Sequence, residues 1–135
     1  MGRFLIAITA KIFRKGMVIM MEEIVMVRGD TLKLYIESII SSDGNEYALS
    51  DTDVIYFELR KEKCSDTAVI RKELTADDLS DRGLPVVLYP CDTAELPFGN
   101  YLFDIRLVMD KDNIFTIVPM TRLKIIPAVT VITRG

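Results

Sequence analysis

From Glu23 onward the apolar residues of this chain recur at every second position, and no long segment holds the 3.6-residue period of an amphipathic helix. A period of two sends alternate side chains to opposite faces of an extended strand, so such a chain folds as sheets with one face buried. Three stretches carry the pattern most cleanly. In the first, Leu32, Leu34 and Ile36 take one face and Lys33, Tyr35 and Glu37 the other. In the second, Ile55, Phe57 and Leu59 oppose Val54, Tyr56, Glu58 and Arg60. In the third, Tyr101, Phe103, Ile105 and Leu107 point inward while Asp104 and Arg106 point outward. These inward residues are the predicted core.

Shorter strands are expected over 23–27, 68–74, 85–89, 114–118, 123–126 and 129–132. Turn-forming runs separate the segments: Arg28-Gly29-Asp30, Ser41 to Asn45 with Gly44 free to take positive φ, and Asp110 to Asn113. The segment 75–83 reads as a solvated loop or a single helical turn. Pro119 and Pro127 confine the last ribbon to edges or bulges. Seven or eight antiparallel strands at a spacing of roughly 10–12 residues are the pattern of an immunoglobulin-like Greek-key β-sandwich.

With 135 residues the chain has room for one domain and a short extension. Residues 1–20 contain Arg3, Lys11, Arg14 and Lys15 and no acid, so residues 21–135 hold 13 bases against 20 acids, a balance of −7. We therefore divide the chain into an extension, 1–20, and a domain, 21–135. The acidic body is a poor partner for phosphate backbones, which argues against nucleic-acid binding. No run approaches the 18 apolar residues of a membrane-spanning helix. The extension has several readings: a signal segment, a membrane-surface helix, an assembly arm, or codons placed ahead of a start at Met20 or Met21. The signal reading is weak because Lys11, Arg14 and Lys15 interrupt the apolar run and no small-x-small cleavage site follows.

The chain has no histidine, which removes the commonest general base and metal ligand. No nucleophile elbow, phosphate loop or metal-spaced cluster is present. No catalytic residue, cofactor or metal is expected. The two cysteines, Cys64 and Cys91, are expected to be free thiols. Arg28-Gly29-Asp30 reads as a turn into a strand, and Asp110, Asp112 and Asn113 as a solvated hairpin lacking the spacing of a calcium loop.

Two stretches carry a family likeness. One is Val27-Arg28-Gly29-Asp30-Thr31-Leu32; the other is Asp92-Thr93-Ala94 followed by Leu96-Pro97-Phe98-Gly99-Asn100-Tyr101-Leu102-Phe103-Asp104-Ile105. Together, and with the close over 121–130, they resemble the small immunoglobulin-like proteins of tailed phages and prophages of Gram-positive bacteria. Among these the N-terminal domain of the phage baseplate upper protein family is the nearest in pattern. The resemblance implies a non-enzymatic structural protein of a phage, prophage or phage-tail-like particle. It would be made in the host cytoplasm and built into the particle, in a baseplate, tail or fibre attachment. The second stretch also echoes the tyrosine corner of immunoglobulin domains, with Asp92 capping a helical turn, Gly99 ending it and the Tyr101 hydroxyl bonding to backbone.

The partners expected are copies of the chain itself, as a homo-oligomer, and other virion proteins. The candidate assembly segment is the apolar, β-prone tail with Val129, Val131 and Ile132. The alternative is a carbohydrate-binding or host-adhesion module, for which Tyr35 and Tyr56 are the candidate aromatic platform.

Overall fold

A computed structural model of the chain describes residues 9–14, 17–19, 23–40, 44–61, 67–110 and 113–129, the first two segments by their backbone pairing alone. The protein is all-β, with two sheets. The four-stranded sheet has the order β2-β1-β4-β7, where β1 is Thr9–Arg14, β2 Met17–Ile19, β4 Leu32–Ile40 and β7 Leu84–Leu88. The five-stranded sheet has the order β3-β9-β8-β5-β6, where β3 is Ile24–Val27, β5 Val54–Lys61, β6 Ile70–Leu74, β8 Gly99–Asp110 and β9 Asn113–Ile126. Among the described residues helix is confined to a single 3-10 turn at Ala76–Asp78 and one α turn, α1, at Pro90–Thr93. The 3-10 turn is closed at its start by Thr75 and Asp78, each side chain accepting a backbone N–H from the other's position or its neighbour.

The period-two residues form the core. Leu34, Ile36, Ile55, Phe57, Tyr101, Phe103, Ile105 and Leu107 are all buried, none exposing more than 3% of its surface. They belong to one apolar cluster that draws side chains from both sheets. The rings of Phe57 and Phe103 meet in it with centroids 5.1 Å apart. β8 is the middle of the arrangement: it pairs antiparallel with β5 from Val54↔Val108 to Lys61↔Tyr101 and with β9 on its other side.

Three features differ from the sequence expectation. First, the strands are not all antiparallel: β3 runs parallel to β9, from Ile24↔Leu123 to Val27↔Ile126. The strands β4 to β8 lie between the two in the chain, so no hairpin dictates the direction of the pair. Second, 114–118 and 123–126 are one strand, β9. Its ladder with β8 steps from Phe103↔Thr121 to Ile105↔Val118, so an extra residue of β9 is absorbed at Pro119 and Met120. A bulge accommodates the missing N–H of Pro119 without ending the strand. Ile117 and Val118 are buried in succession because a second step in register follows at once. Third, the number of strands among the described residues exceeds seven or eight, because residues 9–19 supply two of them. β1 lies between β2 and β4 and pairs antiparallel with both.

The outermost strand of the four-stranded sheet is blunted. Pro85 of β7 stands opposite Tyr35 and has no N–H to offer a further strand. At the start of β7 the chain passes very close to β4. Gly83 has φ +111°, and a Cβ there would lie 2.2 Å from the Ile36 carbonyl oxygen. Both backbone conformation and space demand glycine at that position.

Gly83→Ala is therefore expected to cost at least about 3 kcal/mol of folding stability, from backbone strain and overpacking together. Gly44→Ala, at φ +86° with open space around it, is expected to cost about 1 kcal/mol. Urea denaturation of the two variants against the wild type measures both; equal costs would show that the close approach to Ile36 is not tight.

Candidate functional site

β3 and β9 finish at the same end of the five-stranded sheet, where β8 begins: Gly99 pairs with Ile125, and the Arg28 amide donates to the Ile126 carbonyl at 2.9 Å. In the other sheet β4 begins where β7 finishes, at Leu32↔Leu88. The turn 28–31 and the segment 89–98 link the sheets at this end, and they are the parts of the chain that carry the two sequence motifs.

The motifs touch. The Gly29 amide donates to Thr93 Oγ1 at 3.0 Å, across 64 residues of chain, and Thr93 is fully buried. Arg28 Nη1 donates to the Leu96 carbonyl at 3.3 Å, and its guanidinium lies over the Phe98 ring, 4.1 Å from the centroid. Gly29 takes φ +86°, which lets the turn present its amide to Thr93.

Behind this contact stands Tyr101. Its ring is buried, and its hydroxyl donates to the Pro97 carbonyl at 2.6 Å. Burial raises the hydroxyl's pKa, so it remains a donor. Asp92 lies within α1 instead of ahead of it. Its carboxylate reaches back to accept from the Tyr89 amide at 2.7 Å and from Lys72 Nζ at 2.9 Å. Partial burial pushes its pKa upward, but the Tyr89 amide and the Lys72 ammonium outweigh burial and hold it below the ordinary carboxylate value. Gly99 does not end the helical turn, which closes earlier at Thr93; it starts β8 with φ +135°. The reason is local: Pro97 and the exposed Phe98, where the chain bends, come between the helical turn and the strand.

The surface of this end is apolar and aromatic with cations set over the rings. Tyr89 is 54% exposed, Phe98 48% and Val129 fully exposed. Lys72 Nζ lies 5.6 Å from the Tyr89 ring centroid. Cys91 is a free, exposed thiol on α1. Cys64, Val131 and Ile132 lie outside the described residues.

Tyr35 and Tyr56 do not form a platform. They stand on different sheets, on strands β4 and β5, each facing away from the shared core. Alternation told which face each ring takes, but not which sheet holds it. Each ring has an arginine over it, Arg82 at 6.0 Å from Tyr35 and Arg71 at 4.6 Å from Tyr56.

The far end has its own lock, which sequence reasoning missed. The Tyr47 hydroxyl donates to Asp53 Oδ2, which also accepts from the Ser50 amide at 2.9 Å. Asp53 is buried. Burial, then the bond to Asp53 and its negative charge, push the Tyr47 hydroxyl far above its usual pKa. Only the spacing Tyr-x5-Asp hints at this pair, and nothing in the alternation marks it.

Among the described residues no three His, Cys, Asp or Glu side chains gather into a metal-binding group, and no helix is long and apolar enough to cross a membrane. The chain matches no protein-family model and no curated protein. Among solved structures it is similar to one described as the extracellular domain of a hybrid two component system from B. thetaiotaomicron. The TM-score is 0.41 and the identity 14%, over 88% of this chain and 15% of that one. Neither activity nor partners transfer at that level of likeness.

Tyr101→Phe is expected to cost about 1 kcal/mol, the net worth of one hydrogen bond whose acceptor water can reach once the hydroxyl is gone. A thermal or urea unfolding curve identical to the wild type would remove Tyr101 from the corner. Asp92 gives a pH signature. Its folded pKa lies below its ordinary value of 3.8, so its contribution to stability is fully present above that value. The contribution disappears as pH falls through the lower folded value. Asp92→Asn should flatten that part of the acid limb in a stability-against-pH profile, and an unchanged limb would contradict the assignment.

Proposed function

We propose that the protein is a non-enzymatic structural component of a phage, prophage or phage-tail-like particle, acting by protein–protein docking at a baseplate, tail or fibre attachment. The observation that supports this reading best is the meeting of the two motifs at one end. They are far apart in the chain, yet Gly29 and Thr93, and Arg28 with Leu96 and Phe98, tie them together. The result is a surface held by bonds from beneath, at which Tyr89, Phe98 and Val129 are exposed. Exposed aromatics on a fixed base are the composition of a protein-binding patch.

An immunoglobulin-like Greek-key sandwich is the body proposed for it. The order β9-β8-β5-β6 follows the G-F-C sheet with one added strand, and β1-β4-β7 follows A-B-E. The parallel pairing of β3 with β9 and the presence of β2 beyond β1 are departures from the seven-strand plan. A carbohydrate-binding role has less behind it, since the two tyrosines named for it stand on separate sheets under arginines.

The test is the composition of particles. Particles induced from the host bacterium by DNA damage and banded on a density gradient should contain this chain at a fixed ratio to the major tail protein, by quantitative mass spectrometry. Recovery of the chain only from the unsedimented fraction would overturn the proposal.

A further inference from the structure

We propose that Lys72 seals the β6–β7 side of the molecule against the addition of a further strand, with its charge held in place there by Asp92. The inference goes beyond the docking role proposed above and does not rest on it.

β6 and β7 are each the last strand of their sheet among the described residues, and they lie beside one another. An outermost strand offers backbone N–H and C=O groups to any extended chain that meets it. On β7, Pro85 withholds one N–H. β6 contains no proline, and Val69, Ile70 and Leu74 give it the composition of a strand that pairs readily. Lys72 is the exception. It stands opposite Phe57, so it belongs to the face of β6 that looks into the core, between the buried Ile70 and Leu74. Alternation calls for an apolar residue at that position.

The ammonium escapes the core by reaching past the rim of its own sheet. The side chain is 27% exposed, and Nζ donates to Asp92 Oδ2 at 2.9 Å. Asp92 lies on α1, just after β7, and the Tyr89 amide fixes its carboxylate at 2.7 Å. The bond therefore runs from the edge of one sheet to the edge of the other. A strand laid against β6 would continue the inner face of the sheet past Lys72 and cover the gap that this pair spans. It would shut the ammonium and carboxylate away from water together, or part them and shut one in alone. In either case a charge loses its hydration, and the ladder bonds along a five-residue strand would have to make up the loss. An inward-pointing charge thus does for β6 what a missing N–H does for β7. The barrier is the charge on Lys72; Asp92 sets where that charge stands.

The experiment uses the full chain. Sedimentation velocity over a concentration series compares the wild type with Lys72→Val, Lys72→Met and Asp92→Asn, each well below its own unfolding temperature. The first two variants place an apolar side chain at the centre of the inner face of β6, one of them with a stem as long as that of lysine. The third leaves the ammonium in place without its partner. Both Lys72 variants should form a folded species larger than any the wild type forms. In that species the amides of residues 70–74 should exchange at least about tenfold more slowly, by hydrogen-exchange mass spectrometry. Asp92→Asn should sediment as the wild type does. A pair that served stability alone would behave differently, since loss of either partner would then act alike. Lys72 variants that keep the wild-type state at every concentration would overturn the inference. So would an assembly without added protection in β6, an Asp92→Asn variant that assembles as the Lys72 variants do, or failure of both Lys72 variants to fold.

Discussion

The hydrogen bond from the Gly29 amide to Thr93 Oγ1 is the contact on which the arrangement of the sheets at the Phe98 end depends. Thr93 is fully buried, and a buried hydroxyl without a partner costs about 1–3 kcal/mol. The link between β3 and β4 must therefore stay in register with the link between β7 and β8. Each of these links crosses from one sheet to the other, so the bond ties the two crossings together. Arg28 reinforces it by bonding the Leu96 carbonyl and covering Phe98. Tyr101 holds the same segment from below through the Pro97 carbonyl. The surface residues above inherit their positions from these three attachments.

Much of the core was legible because alternation is a local property. β4, β5 and β8 have strict period-two patterns, and their inward residues are the ones that are buried. The tyrosine corner was legible for a related reason: its donor and acceptor are only four residues apart. What escaped is what depends on distance along the chain. A four-residue strand such as β3 has the same pattern whether its partner runs parallel or antiparallel, so the pairing with β9 had no local sign. Pro119 was legible as a mark of an edge or a bulge, and it is a bulge; that the strand continues through it depends on the pairing of β8 on both sides of the extra residue, which leaves no local sign. The stacking of Arg28 on Phe98 spans the domain and left no mark in either motif alone. Tyr35 and Tyr56 show the same limit, since facing outward says nothing about sharing a sheet.

The two ends of the molecule are held by different chemistry. At one end a tyrosine hydroxyl bonds a backbone carbonyl, while at the other Tyr47 bonds the carboxylate of the buried Asp53. The first bond involves no ionised group and is indifferent to acid. The second joins a neutral donor to a carboxylate, a stronger class of bond. Surface ion pairs on the five-stranded sheet, such as Arg106 with Asp104 at 3.6 Å, are exposed and contribute little beside these.

The bulges in β9 divide that strand into two halves with different neighbours. Residues 123–126 are clamped between β8 and β3, whereas the 114–118 half is bonded to β8 but not to β3. A break in register separates the halves, so loosening one does not pull the other out of alignment. The half of β9 beside Phe98 is thus paired on both sides and the opposite half with β8 alone, so the sheet is expected to open from the far end at lower cost.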